Sequence, residues 1–208
     1  MKKRRKLKKK VIVIIIIIAI IILSLSGYFI YKSLNKNTTN TQKVVEQIPE
    51  YGYYLEEDQP KIYKDLFKEL AEVLKQDKVD EEKYAKLISQ MAAIDFYNLE
   101  NKTSKNDVGA TQFIRAKNKN NFILESSETV YKYIEQNLTG NRNQELPEVT
   151  KSEIKSLKQE PYKYKQISDP KAFTAEVYLE YKKDLGYPKQ VTIKLLHTDK
   201  KLEIYEMK

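Results

Sequence analysis

The stretch FTAEVYLEY at residues 173–181 decides the fold class, because it alternates apolar and polar side chains along its whole length. Successive side chains of a β-strand point to opposite faces of a sheet, so this alternation predicts a strand with one buried face and one wet face. VTIKLL at residues 191–196 and LEI at residues 202–204 continue the pattern after the turns DLGYP and HTDKK. We therefore predict a three-stranded antiparallel meander, which an earlier strand near Ile154–Tyr164 is expected to join.

Helical spacing dominates the chain before these strands. Pro60 marks the start of a first helix that ends near Asp77, and Asp80 is the N-cap candidate of a second helix that runs to about Leu99. A third helix is predicted at residues 104–118. A fourth is predicted after Ser126 or Ser127, with four residues facing inward: Val130, Tyr131, Ile134 and Leu138. Helices gathered on one face of an antiparallel sheet make an α+β domain.

The N-terminus predicts a membrane anchor. Residues 1–10 contain eight Lys or Arg, and residues 11–31 form an uncharged apolar run. A helix of this length spans roughly 31 Å, which matches a hydrocarbon core of about 30 Å. We predict a basic cytoplasmic tail at 1–10 and a transmembrane helix at 11–31, since positive charge favours the cytoplasmic side. The tail also favours contact with anionic lipid of the bilayer.

A cleaved signal peptide is the alternative to a retained anchor. Ser24-Leu25-Ser26, before Gly27, has the small-x-small form of a cleavage site. Against cleavage, the apolar sequence continues as far as Tyr31, so that the run keeps a length that spans a bilayer. The retained anchor therefore remains our prediction, with the cell membrane as the location.

The charge of the chain follows from its tail. The net charge is +9, but eight of the 38 basic residues lie in the tail, which leaves 30 against 29 acidic residues. No nucleic-acid partner is therefore expected. Residues 32–48 are rich in Asn, Thr, Lys and Gln and predict a polar tether. Residues 49–208 are long enough for one extracytoplasmic α+β domain.

The residue inventory argues against most catalysis. The chain has no Cys and a single His, His197, which we expect to be a solvated residue at the edge of a loop. A thiol nucleophile is impossible, and a catalytic triad or a zinc site has little to be built from. The chain also lacks phosphate-binding glycine motifs. We expect no enzyme activity, no metal and no cofactor.

Asp95 and Tyr97 are the candidates for a pocket. Asp95 interrupts an apolar helical stretch, and a buried carboxylate must be paired or change its pKa. It could act as a general acid or polar group at a pocket mouth, or form a structural pair with Arg115 or a nearby Lys, or cap the following loop. Asp107 is interpreted as a helix cap or a turn residue.

Aromatic residues suggest a candidate interface. Of the 16 Tyr, Tyr63, Tyr84 and Tyr181 fall on apolar faces, whereas Tyr51, Tyr53 and Tyr54 are expected to be exposed. Four residues are predicted on the sheet face opposite the apolar one: Tyr178, Leu196, Tyr205 and Met207. Tyrosine is enriched at protein interfaces, so this face could bind a protein partner or a second copy. Alternatively, the domain's own loops or its earlier strand could cover it.

Three stretches of the chain resemble an uncharacterised family of bacterial membrane-anchored proteins: residues 51–67 with the preceding IPE, residues 94–114, and residues 180–193. That family implies no activity. In architecture the chain is similar to the bitopic scaffold subunit of type IV secretion and conjugation channels. This second resemblance implies a short cytoplasmic tail, one span and an outer domain of the nuclear transport factor-like (cystatin-like) fold. Neither resemblance implies site residues.

These observations together predict a non-enzymatic interaction or scaffold module of a bacterial envelope assembly. The alternative is an extracytoplasmic domain that binds a small ligand in a pocket between the sheet and the helices.

Overall fold

The computed structural model describes residues 43–137 and 139–208. The predicted tail, the transmembrane helix, most of the tether and Leu138 lie outside these residues. No helix within the described residues is both long enough and apolar enough to cross a bilayer. The described chain is an α+β domain with a curved antiparallel sheet, as the sequence predicts.

The sheet has four antiparallel strands in the order β3-β4-β5-β6. They are β3 (Val149–Tyr164), β4 (Ile167–Tyr181), β5 (Gln190–Thr198) and β6 (Lys201–Met207). The predicted meander and the earlier strand are both confirmed. The pairing of β4 with β5 shows why one face of the sheet is buried, because apolar residues of the two strands lie opposite each other. The pairs are Phe173 with Leu195, Ala175 with Ile193, and Val177 with Val191.

The long β3–β4 hairpin bends over the outer face of the sheet. The register between its strands shifts at Glu160/Tyr162, where Pro161 interrupts β3. The ring of Tyr162 then lies 5.0 Å from that of Tyr205, although β3 and β6 are opposite edges of the sheet. Bulges increase the bend and twist of a strand, and proline is tolerated at edges and bulges. The hairpin therefore curls the sheet.

Two helices, α1 (Lys61–Leu74) and α2 (Glu81–Tyr97), form the layer on the inner face. Both predicted helices are confirmed, and Asp80 caps α2 by accepting a hydrogen bond from the amide of Lys83 at 3.0 Å. Twelve of the residues of α2 are buried, on all sides of the helix. A helix that is apolar all round is buried on all sides, and α2 contacts both α1 and strands β3 to β5.

A separate hairpin, β1 (Val44–Ile48) and β2 (Tyr53–Glu56), precedes the helices. The tether prediction is wrong for residues 44–48, because these residues pair with β2. The expectation that Tyr53 is exposed is also wrong. Its ring is buried, and its hydroxyl lies 2.6 Å from that of Tyr84 and donates to the carbonyl of Leu202 at 3.1 Å.

The predicted helix at 104–118 is wrong. Turns occupy this segment up to the short 3-10 helix Ala116–Asn118. Two residues explain the difference. Ala110 adopts a left-handed φ of 62°, and a Cβ on Gly109 would lie 1.9 Å from the carbonyl oxygen of Asp95. The segment passes so close to α2 that only glycine fits at position 109.

The fourth predicted helix is also wrong in its position. Helix α3 is Lys119–Ser127, so Ser126 and Ser127 end a helix rather than begin one. The carbonyl of Ser126 accepts hydrogen bonds from the amides of Thr129 and Tyr131, which closes a turn. Tyr131 and Ile134 are nevertheless buried as expected.

Candidate functional site

Asp95 lies in a buried polar centre at the C-terminal part of α2. Its side chain is almost fully covered, with 6% of the residue exposed. One carboxylate oxygen accepts hydrogen bonds from Lys102 Nζ at 2.7 Å and Gln59 Nε2 at 2.9 Å, and the other accepts from the amide of Ala110 at 2.6 Å. Two of the expected structural roles are therefore confirmed. Asp95 pairs with a nearby Lys, and it binds the loop that follows the helix.

The ion pair keeps both partners charged. Burial acts to raise the pKa of Asp95, but the charge and hydrogen bonds of Lys102, with those of Gln59 and Ala110, hold it below its usual range. Burial acts to lower the pKa of Lys102, and the Asp95 carboxylate outweighs burial and raises it. A general acid at neutral pH needs a raised carboxyl pKa, so Asp95 does not suit that role.

Arg115, the other partner considered for Asp95, instead lies 3.8 Å from Glu203. Tyr97, the second pocket candidate, is buried with 6% exposed and stacks edge-on against Phe96 at 4.9 Å. Neither Asp95 nor Tyr97 lines any of four surface concavities among the described residues.

Asp107 anchors the loop beside this polar centre. Its carboxylate accepts hydrogen bonds from the amide and hydroxyl of Thr103 at 2.9 and 3.1 Å, as expected for a turn residue. Tyr131 also holds this loop in place. Its hydroxyl donates to the carbonyl of Phe96 at 2.6 Å and accepts from the amide of Gly109 at 3.0 Å. Sequence reasoning placed Tyr131 inside the domain without showing this contact.

Glu56 adds a second carboxyl group to the polar centre. Burial, with the negative charge of Asp95, raises its pKa from 4.5 to about 7, although Lys102 acts in the opposite direction. Gln59 is 3% exposed, and its Oε1 has no hydrogen-bond partner among the described residues. The sequence carried no signal for Glu56, because its burial depends on where β2 lies against the helices.

The candidate interface on the outer sheet face is only partly covered. Leu196 is only 6% exposed and lines a concavity of about 160 Å³ with Ile167 and Ser168 of the β3–β4 hairpin. Tyr178 is half-buried, and the ammonium of Lys155 lies 4.9 Å from its ring centre. The domain's own strands therefore cover Leu196, in agreement with the alternative to an interface, while Tyr178 remains accessible.

Tyr205 and Met207 do not share one face. Ile204 pairs with Leu195, whereas Glu206 pairs with Lys194, so Tyr205 is the extra residue of a bulge. The extra residue reverses the alternation that follows it, because side chains of a strand alternate with a period of two. Met207 consequently lies opposite Ile193 and packs against the core. The predicted placement of Met207 on the outer face is wrong for this reason.

His197 is less exposed than expected. Its side chain is 25% exposed, and Nδ1 lies 2.9 Å from the buried carboxylate of Asp169, which also accepts the His197 amide at 2.8 Å. Its Nε2 lies 3.5 Å from Glu81. The expectation of a solvated loop-edge residue is wrong, because Asp169 on the bent hairpin lies over the end of β5. Sequence spacing could not bring these residues together.

A groove between α3 and the free edge of β6 is the candidate binding site that sequence reasoning missed. Its volume is about 300 Å³. One wall is formed by Asn118, at the N-terminal cap of α3, and by Asn121, Phe122 and Glu125 of α3, and the other wall is the strand segment Ile204–Met207. Spacings of three and four residues place side chains on one face of a helix, so the helical wall is continuous. Its lining combines apolar residues, such as Phe122 and Met207, with polar ones, such as Asn121 and Glu125.

Within the described residues, no group of three or more His, Cys, Asp or Glu side chains is arranged to hold a metal ion. Comparison of the chain with protein-family models, with curated proteins and with solved structures finds no match.

Proposed function

We propose that this chain is a membrane-anchored interaction module of a bacterial envelope assembly, and that it acts by binding rather than by catalysis. The groove between α3 and β6 is the observation that carries the proposal. Phe122 and Met207 give the groove apolar contact area, and Asn121 and Glu125 give it polar groups. Protein interfaces combine an apolar centre with a polar rim in the same way.

The apolar run at residues 11–31 supports the anchor in this proposal, and the basic tail at 1–10 supports an outward-facing domain. The first strand begins at Val44, which leaves only residues 32–43 between the proposed span and the folded domain. The proposal therefore places the partner at the same membrane as the anchor.

The proposed fold is nuclear transport factor-like, with helices against a curved sheet. This assignment agrees with the resemblance to the bitopic scaffold subunit of type IV secretion and conjugation channels, in which helices also precede the strands. A secretion or conjugation channel is therefore the first assembly in which to look for the partner. This resemblance is one of architecture, and fold alone does not determine function.

The proposal is tested in two steps with the full-length protein. The chain has no Cys, so a single cysteine at the exposed Lys183 reports topology without interference. A thiol reagent that does not cross membranes should label this cysteine in intact cells, and absence of labelling until the cells are lysed would refute the outward orientation. Lysine crosslinking in the native membrane should then join the domain to another envelope protein, and crosslinks confined to single copies of this chain would refute the interaction.

A further inference from the structure

Within the described residues, β6 has a neighbouring strand on one side only, so its other edge offers a place for an additional strand. β6 is the last strand in the order β3-β4-β5-β6. The chain already places one extended residue against this edge, since Ile114 forms a parallel bridge with Ile204 and the Ile204 amide donates to the carbonyl of Phe113 at 2.7 Å. The chain then turns into the 3-10 helix Ala116–Asn118, so the pairing ends at Ile204.

The backbone of Met207 faces the groove. Lys208 and Thr192 exchange both of their backbone hydrogen bonds, at 2.9 and 2.8 Å. Consecutive residues of a strand direct their N–H and C=O groups to opposite sides, so those of Met207 point away from β5. All residues of Ile204–Met207 line the groove. The side chains of this segment point to both faces of the sheet. A groove lined by all four residues therefore runs along the edge of the strand.

The charge of the groove restricts the partner. Its lining includes the carboxylates of Glu125 and Glu206 but no Lys or Arg. Glu206 already pairs with Lys208, and it lies 3.9 Å from Lys194. Glu125 takes part in no ion pair within the part of the chain that the structure describes. An extended segment with an apolar side chain for Phe122 and a basic side chain for Glu125 would complement the groove.

We propose, on the basis of the proposed function, that a basic extended segment of a partner protein binds in this groove as an additional strand on β6. The segment would hydrogen-bond to the backbone of Met207, place an apolar side chain against Phe122 and direct a Lys or Arg to Glu125. The helix wall from Asn118 to Glu125 is roughly 10 Å long, which accommodates about three extended residues. In such strand addition, main-chain hydrogen bonds provide affinity and side-chain pockets provide specificity.

The test uses the full-length protein in its native membrane, with the photocrosslinking residue p-benzoylphenylalanine at Asn121. p-Benzoylphenylalanine at the exposed Glu72 of α1, which lies outside the groove, is the control. Met207→Pro removes the outward N–H group, and proline is tolerated where a strand's N–H does not enter the sheet. Met207→Leu is the matched control, because it keeps that group and a similar side-chain volume. Circular dichroism checks that both variants keep the fold.

The expected result is an adduct from position 121 that peptide mass spectrometry maps to a short segment containing Lys or Arg in another protein. Its yield should fall at least tenfold with Met207→Pro, remain unchanged with Met207→Leu, and fall several-fold with Glu125→Lys. An equal yield with Met207→Pro would overturn strand addition, as would adducts only with lipid or a second copy. A partner captured from position 72 alone would overturn the groove but leave the proposed function standing, whereas no protein adduct from either position would count against both.

Discussion

Replacing Asp95 by Asn should destabilise the domain by about 3–5 kcal/mol, the usual cost of breaking a buried ion pair from one side. The structure explains why the isosteric amide cannot compensate. Both carboxylate oxygens accept hydrogen bonds from donors, with Lys102 and Gln59 on one side and the Ala110 amide on the other. An Asn side chain must turn its NH₂ group toward one of these sides, and it leaves the buried ammonium of Lys102 without a counter-charge.

Urea unfolding of the full-length protein in detergent, followed by circular dichroism, measures this loss. Lys102→Met should cost a similar amount, because it leaves Asp95 unpaired. The double variant Asp95→Asn/Lys102→Met should lose clearly less than the sum of the two single losses, since residues in contact are not additive. A loss below about 1 kcal/mol for Asp95→Asn, or strict additivity in the double variant, would show that the Asp95–Lys102 pair does not stabilise the domain in this way.

The same pair gives a pH dependence with a defined sign. The folded protein holds the pKa of Asp95 below its ordinary value, so the stabilisation is complete above the unfolded pKa of Asp95. It is lost as the pH falls through the folded pKa. The stability difference between wild type and Asp95→Asn should therefore be largest near neutral pH and shrink in acid. A difference that grows in acid would contradict the assigned direction.

Three other substitutions test the neighbouring structure by the same unfolding assay. Gly109→Ala should cost several kcal/mol, because its Cβ would lie 1.9 Å from the Asp95 carbonyl oxygen, and a wild-type midpoint would show that the close approach is absent. Tyr131→Phe should cost about 1–3 kcal/mol, because it leaves the buried Gly109 amide without an acceptor, and no loss would contradict that contact. Glu56 has its pKa raised to about 7, so the stability it contributes is lost as the pH rises from about 4.5 to 7. Glu56→Gln should consequently be about 1 kcal/mol more stable than the wild type at pH 8 and equally stable at pH 4.5. This figure allows for solvent screening of a half-buried group. A difference from the wild type that is the same at both pH values would refute the raised pKa.

The strands and the first two helices could be predicted because their signals are local. The alternation in 173–181 and the cap at Asp80 depend only on neighbours in the chain. The segment from residue 104 to 134 could not be predicted, since its turns depend on the approach of Gly109 to a helix that is distant in sequence. Met207 shows a second limit, because one extra residue at Tyr205 reverses the alternation without altering the hydrophobic pattern.

The candidate site was predictable only in part. A carboxylate inside an apolar helix must find a partner, so Asp95 could be recognised as unusual, but Lys102 was one of several nearby Lys residues. The groove left no signal in the sequence, because Phe122 and Met207 meet only after α3 and β6 pack together. Likewise, the contact between Asp169 and His197 requires the bend of the β3–β4 hairpin.

The proposed function is that this chain is anchored in a membrane and works there as part of a protein assembly. The most direct measurement is the composition of membrane patches excised around the full-length protein by an amphipathic copolymer, without detergent, and quantified by mass spectrometry. We expect another envelope protein to accompany the chain at the same molar ratio in independent preparations, and Met207→Pro to lower this ratio while Met207→Leu does not. Recovery of the chain alone, in patches that contain lipid but no constant protein partner, would contradict the account.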